Sequence, residues 1–201
     1  MPKVTEERRH ARQAEILAAA RTCFAAHGYE GATVVRLEQA TGLSRGAIFN
    51  YFPSKDELFL ALADRDANRL GRLWADEGLE AVVRALVDED PAWLGTYLEV
   101  GRRLRTDARF RERWNARAPE VERRIAERLE RARDAGEIRD DVPLEAIGRF
   151  IGLVVDGLAL RLAAGEAPPE PAELLQLVGD AIGGPANGDR ARTRTPRRTP
   201  A

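Results

Sequence analysis

The chain has 201 residues, 32 of them basic and 33 acidic, and a net charge of -1. That balance excludes a uniformly basic nucleic-acid coat and allows DNA binding only where positive charge is local. A hydrophobic share of 44% suits one large or two small units with a real core, and the single cysteine, Cys23, excludes an intrachain disulfide framework.

Alanine, leucine, arginine and glutamate dominate and hairpin signals are missing, so an all-α fold is expected. The first helix is predicted from Arg8 to His27, with Ile16, Leu17, Ala20, Phe24 and Ala25 as its apolar stripe and Gly28 as its stop. Thr33 is an N-cap for a short helix to Thr41. Gly42-Leu43-Ser44 makes a turn, and Arg45 to Tyr51 forms a second short helix before Pro53. Ser54-Lys55-Asp56-Glu57 reads as a capping box that opens a long helix to Glu77, stopped by Gly78. Beyond it, helices are expected over Glu80 to Val87, Pro91 to Arg105, Ala108 to Arg117, Pro119 to Ala135 and Pro143 to Ala164. Pro168 to Pro171 is a linker, and the last helix ends near Ile182.

The expected organisation is a helix-turn-helix DNA-binding domain over 1–53, a connecting helix over 54–79, a helical ligand-binding and dimerisation domain over 80–183, and a disordered tail over 184–201. That tail carries Arg190, Arg192, Arg194, Arg197 and Arg198 against Asp189; it either adds nonspecific DNA affinity or is simply solvated. The N-terminus lacks the apolar run of a signal peptide, and Phe150 to Val155 is too short to span a bilayer. A cytoplasmic, nucleoid-associated location without a membrane partner is expected.

The first 60 or so positions carry the function. A helix-turn-helix needs a tight turn, which Gly42 permits, and a plug between its helices, which Leu43 supplies. Ser44 caps the recognition helix; Ile48 and Phe52 face inward, leaving Arg45, Ala47, Asn50 and Tyr51 to meet the major groove. The run Gly31-Ala-Thr33, Leu37, then Thr41-Gly-Leu-Ser-Arg45-Gly-Ala-Ile-Phe-Asn-Tyr51-Phe-Pro-Ser-Lys55-Asp-Glu-Leu58 resembles the DNA-binding signature of the TetR family. Leu37-Glu38 stands where that pattern commonly has Ile-Ala, and Phe49 where a phosphate-binding tyrosine is common. The resemblance implies a transcriptional repressor that binds double-stranded operator DNA as a homodimer. It implies phosphate contacts from Thr33 and Lys55, a backbone or thymine-methyl contact from Tyr51, and base-edge contacts from Arg45 and Asn50. Arg8, Arg9 and Arg12 form either a minor-groove arm or a solvated helix start.

The segments HGYEGATV, KDELFLALA, LEVGRRLRTDARFRERW, IRDDVP and VVDGLALRLAAG resemble the actinobacterial aconitase-repressor branch of that family. The resemblance implies control of a central-carbon gene and a small anionic effector, citrate with magnesium; no further cofactor is required. From the residues, Arg128 lies on the stripe of Val121, Ile125, Leu129 and Ala132, and Arg105 shares a face with Leu94 and Leu98. Two inward arginines would suit a tricarboxylate; the alternatives are an internal acid for Arg128 and a snorkelling helix end for Arg105. Gly179 stands where that branch offers a glutamate, with Asp180 next to it as the remaining candidate for the effector site, so no metal ligand set is assigned. Trp74, Trp93, Tyr97, Phe110 and Trp114 either line a pocket or fill the core.

Phe150 to Leu160 is apolar on nearly every side, so one face of that helix must meet another chain. Phe150, Val154, Asp156 and Gly157 are the interface candidates, in a four-helix contact with the last helix; Asp156 is alternatively a partner of Arg161 or of the pocket. His10 and His27 have no convergent acid or nucleophile, and no phosphate loop appears, which argues against an enzyme. Two rivals stand beside the effector-controlled repressor of a central-carbon gene. One is a repressor of an efflux or other gene answering an apolar ligand, which a pocket without inward arginines would favour. The other is an architectural DNA binder with no effector.

Overall fold

A computed structural model describes residues 2–116 and 119–183, with side chains over 6–116 and 122–183. The arginine-rich tail, 184–201, lies outside the described residues. Among the described residues every regular element is helical apart from one isolated bridge, Ile138 with Gly183. No helix among them is long and apolar enough to cross a membrane.

The first helix, α1 (Pro2–Gly31), loses helical dihedrals at Gly28, where the sequence places its stop. Ile16, Ala20 and Phe24 are fully buried along one stripe. α2 (Val34–Thr41) and α3 (Arg45–Phe49) follow, each with the expected cap: the Thr33 hydroxyl accepts from Arg36 N–H and the Ser44 hydroxyl from Ala47 N–H. Gly42 joins them at φ 66°, a left-handed conformation that side chains disfavour, and its N–H closes on the Glu38 carbonyl at 2.9 Å. α3 is shorter than the expected Arg45 to Tyr51. The Tyr51 N–H bonds to the Ile48 carbonyl three residues back, a tightening that Pro53 enforces by denying the helix a continuation.

α4 (Lys55–Glu77) starts at Ser54, whose hydroxyl accepts from Glu57 N–H at 3.1 Å. The reciprocal half of the capping box is absent, because the Glu57 carboxylate pairs with Arg113. α4 traverses the molecule. Its first half puts Leu58, Phe59 and Leu62 into the core beneath α1–α3, where the Phe59 ring meets Phe24 at 5.3 Å and Tyr29 at 5.0 Å between centroids. Its second half brings Leu70, Leu73 and Trp74 to two further cores built by the C-terminal helices.

Those helices are α5 (Leu79–Val87), α6 (Pro91–Tyr97), α7 (Glu99–Thr106), α8 (Ala108–Asn115), α9 (Pro119–Asp134), α10 (Leu144–Ala163) and α11 (Pro171–Ile182). The single helix expected from Pro91 to Arg105 is two, divided at Leu98. The division serves two cores: α6 buries Leu94 against α5 and α10, while Val100 of α7 turns back to Phe110 and the N-terminal core. α6 is also tied to α1, since the Thr96 hydroxyl donates to the Phe24 carbonyl at 3.0 Å.

Candidate nucleic-acid interface and effector cavity

The start of α3 is an exposed corner. Ser44, Arg45, Gly46 and Asn50 are exposed, while Ala47 and Tyr51 are half-buried and Ile48 is fully buried. Ile48 and Phe52 thus anchor the helix as expected. Asn50 is the α3 C-cap and Tyr51 lies just beyond it, so neither projects from the helix body. Arg9 comes over the Tyr51 ring at 5.8 Å, and Arg8, Arg9 and Arg12 line one open groove with Asn50 and Tyr51. The basic arm and the C-terminal end of the recognition helix therefore share one groove. Thr33 is exposed at the α2 N-terminus. Glu38, whose role the sequence left unread, fixes the geometry: its carboxylate accepts the Arg45 N–H at 2.6 Å and so locks α2 to the start of α3. The only sequence sign of this is the acid in Leu37-Glu38, where a small residue is the common choice.

Lys55 sits where α1 and α4 meet. Its ammonium donates to the Tyr29 carbonyl at 2.9 Å and lies 4.3 Å from the centre of the Tyr29 ring. An ammonium has three donors, so this bond orients the group and leaves two for a phosphate. The Tyr29 hydroxyl donates to Asp56, which also accepts from Arg103 of α7 at 2.7 Å. Arg103 stacks on Tyr29 at 4.1 Å. Burial pushes the Asp56 carboxyl up, but the Tyr29 hydrogen bond and the charge and hydrogen bond of Arg103 outweigh it, and the group titrates below its ordinary value. A depressed carboxyl contributes stability that is present above the unfolded value of about 4 and is lost as pH falls through the folded value. Asp56→Asn is expected to flatten the stability loss in that window, read as urea midpoint against pH. An acid limb unchanged by the substitution would assign the loss to other groups.

Between α4, α6 and α10 lies a cavity of about 200 Å³, open on one side. Leu70, Leu86, Leu94, Val155 and Ala159 form its apolar wall; Asp66, Arg69, Glu89, Tyr97 and Asp156 give it polar groups. Burial pushes the Tyr97 hydroxyl up to about 12, with Asp66, Asp156 and Asp64 adding to the effect.

None of the three expected effector residues lines this cavity. Arg105 is exposed, because the break at Leu98 turns α7 and removes the shared face with Leu94 on which the expectation rested. Arg128 points inward but closes the end of α4: its guanidinium donates to the Ala75 carbonyl at 3.0 Å. It packs over Gly78, where a Cβ would stand 2.8 Å from Nη2. A cation on the unpaired carbonyls of a helix C-terminus is a structural partner, the internal one left open in the sequence. Asp180 is exposed on α11. Asp156 is exposed at the open side of the cavity, and Arg161 pairs with Glu166 rather than with it. Trp93 is buried core at 1% exposure that also reaches the cavity, and Trp74 packs between the two C-terminal cores.

The other face of α10 is uncovered. Phe150 and Gly157 lie on it and Val154 is half-buried at its margin, but the most exposed side chains are Leu153 (73%) and Leu160 (56%), joined by Leu177 of α11 (68%). Phe150, Leu153, Gly157 and Leu160 recur at three- and four-residue steps, a stripe that the all-apolar run around it hides in the sequence.

Residues 16–62 match the model of bacterial regulatory proteins of the tetR family, and residues 75–184 match the C-terminal domain of BetI-type transcriptional repressors. The chain belongs to the TetR family. The HTH-type transcriptional repressor Rv1474c of Mycobacterium tuberculosis is 45% identical over 184 residues, covering 90% of this chain and 98% of that protein. The repressor AcnR of Corynebacterium glutamicum is 47% identical over 167 residues, covering 82% of this chain and 88% of its own. The fold is shared with Salmonella enterica GusR, at a TM-score of 0.69 and 23% identity over 86% of this chain and 95% of that one. This TetR-family chain is a transcriptional repressor, and its relatives are regulators rather than enzymes. The first matched segment contains Thr33, Ser44, Arg45, Ala47, Asn50, Tyr51 and Lys55, and the second contains the cavity-lining residues of α5, α6 and α10.

Proposed function

We propose that the chain acts as a homodimeric, sequence-specific repressor whose grip on double-stranded operator DNA is controlled by a small molecule in the α4–α6–α10 cavity. In this reading 1–53 contacts DNA, 54–79 connects, 80–183 binds effector and partner subunit, and the protein works in the cytoplasm on the nucleoid. The observation that carries it is the exposed Arg45 at the capped start of α3, with the Arg8–Arg9–Arg12 arm sharing a groove with Asn50 and Tyr51 at the other end of that helix. Arg45 and Asn50 read bases; Thr33, Tyr51 and Lys55 hold the backbone. Two copies of α3 stand about one DNA turn apart, ~34–36 Å, and an effector that tilts α4 by favouring the non-binding geometry by a few kcal/mol releases the operator.

The likeness to AcnR repressors supports an aconitase gene as the target and citrate with magnesium as the first effector to test. A second reading has a specific observation behind it: the cavity holds neither Arg105 nor Arg128, which favours a repressor answering a ligand other than a tricarboxylate. The test is a mobility shift on the chain's own upstream region and on an aconitase promoter, with and without citrate plus magnesium. Arg45→Ala is expected to weaken operator binding by about 1–3 kcal/mol, roughly 5- to 150-fold, and to relax sequence preference at one position. Equal binding of operator and random DNA by the unmodified protein would overturn the reading.

A further inference from the structure

The cavity walls carry three carboxylates, Asp66, Glu89 and Asp156. Two are already compensated. Asp66 accepts from the Trp93 indole N–H and has Arg21 Nε at 3.7 Å. Glu89 takes Arg21 at 2.8 Å on one oxygen and Arg69 at 3.0 Å on the other. Asp156, exposed at the open side of the cavity, has no ion pair and no hydrogen-bond donor among the described residues, and partial burial raises its carboxyl above the ordinary value. Of the nearby cations, Arg21 is shared between Asp66 and Glu89, and Arg69 pairs with Glu89. Three carboxylates against two guanidinium groups leave the walls one negative charge in excess, located at Asp156.

Tyr97 adds a second feature. It lines the same cavity, and among the described residues its hydroxyl has no hydrogen-bond partner. An aromatic face and an unpartnered phenol beside an uncompensated carboxylate form a receptor for a cation with N–H groups or an apolar body. The remaining walls are Leu70, Leu86, Leu94, Val155 and Ala159, which offer no oxygen ligands to a bare metal ion. No group of three or more acidic, histidine or cysteine side chains able to hold one occurs among the described residues. An anion would meet Asp156 with no free guanidinium to offset it.

We propose that the α4–α6–α10 cavity binds a small organic ammonium ion, with Asp156 as its counter-ion and Tyr97 as its hydrogen-bonding and aromatic wall. The proposal rests on the effector-controlled reading above and names the ligand's chemical class. A cavity of about 200 Å³, open on one side, has room for an amine with one ring. A citrate–magnesium complex keeps a net negative charge and is disfavoured at this site.

The test uses the full chain and calorimetric titration with 2-phenylethylammonium, its size-matched opposite 3-phenylpropanoate, and citrate plus magnesium. The ammonium probe is expected to bind at least about tenfold more tightly than the carboxylate, and Asp156→Asn to abolish that preference. Tyr97→Phe is expected to weaken the ammonium several-fold without changing the apparent melting temperature of the ligand-free protein by more than a few degrees. Ammonium binding that is absent, matched by phenylpropanoate, or unaltered in Asp156→Asn overturns the proposal. Operator binding without ligand is measured in parallel by mobility shift. A chain that grips operator but ignores the ammonium fails only the present inference; one that binds the ammonium but no operator fails only the repressor reading.

Discussion

Replacing Leu153 and Leu160 together with glutamate is expected to halve the molecular mass in solution and to lower operator affinity by about a thousandfold. The two leucines are the most exposed large apolar side chains of α10, at 73% and 56%, and Leu177 of α11 extends the patch. Full burial of one leucine is worth about 1.5–3 kcal/mol, so four of them across a two-fold contact supply a large part of what a helical dimer needs. Glutamate removes that term and sets like charges across the axis, because each residue near a two-fold meets its own copy or a close neighbour. Operator affinity falls further than any single contact would imply. Two linked recognition helices bind with an avidity about 10²–10⁴ above one. α10 still packs inward through Ile147, Ile151, Leu158 and Leu162, so the monomer remains folded. Sedimentation and anisotropy on one operator fragment check both halves. A double variant that stays dimeric at micromolar concentration would move the interface off α10 and α11.

Whatever depends on residues within four positions was legible in the sequence. Thr33, Ser44 and Ser54 cap their helices through hydrogen bonds to Arg36, Ala47 and Glu57 N–H, and Gly42 makes its turn through its own dihedral. The Ile48–Phe52 anchor follows from helical spacing over one turn. What depends on remote partners was not. Arg128 was recognised as an inward charge in need of a partner, yet that partner, the Ala75 carbonyl, lies 53 residues away and is a backbone atom, which no pattern of side chains announces. Arg105 is an exposed helix end, one of the two places left open for it, because of one helical break: Leu98 has ordinary helical dihedrals, and the turn there comes from packing Leu94 and Val100 into different cores. Asp156 could be placed only as one of three alternatives, since helical periodicity sets its angle between the apolar stripe and the cavity but not which of them it faces. The latch of Tyr29, Lys55, Asp56 and Arg103 shows the same limit. Its first three members fall within the matched signature, while the fourth arrives from α7, 47 residues beyond Asp56.

Asp66→Ala is expected to cost about 3 kcal/mol and to lower the melting temperature by roughly 6–12 °C for a chain of this size. Asp66 is 6% exposed at the junction of α1, α4 and α6. Its carboxylate accepts the Trp93 indole N–H and faces Arg21, whose guanidinium also lies 4.5 Å from the centre of the Trp93 ring. Truncation leaves the N–H of a residue 1% exposed without an acceptor, and deprives Arg21 of one of its two acids. A hydrogen bond to a charged acceptor contributes about 1.5–3 kcal/mol, and a stranded buried donor adds its desolvation. Arg21 is a quarter exposed and keeps Glu89, so the ion-pair share is the smaller part. Asp66→Asn separates the two, because it retains an acceptor for Trp93 while removing the charge; it is expected to recover more than half of the loss. The consequence reaches DNA. Arg21 belongs to α1, Glu89 and Asp66 line the cavity, and Trp93 belongs to α6, so one network joins the cavity wall to the helix that carries the basic arm. Asp66→Asn is therefore expected to bind operator nearly as well as the unmodified chain, yet to respond less to whatever fills the cavity. Denaturation of both variants, with operator binding at saturating ligand, measures the two effects separately. A loss below 0.5 kcal/mol in Asp66→Ala would leave the junction to the Thr96–Phe24 hydrogen bond and apolar packing alone.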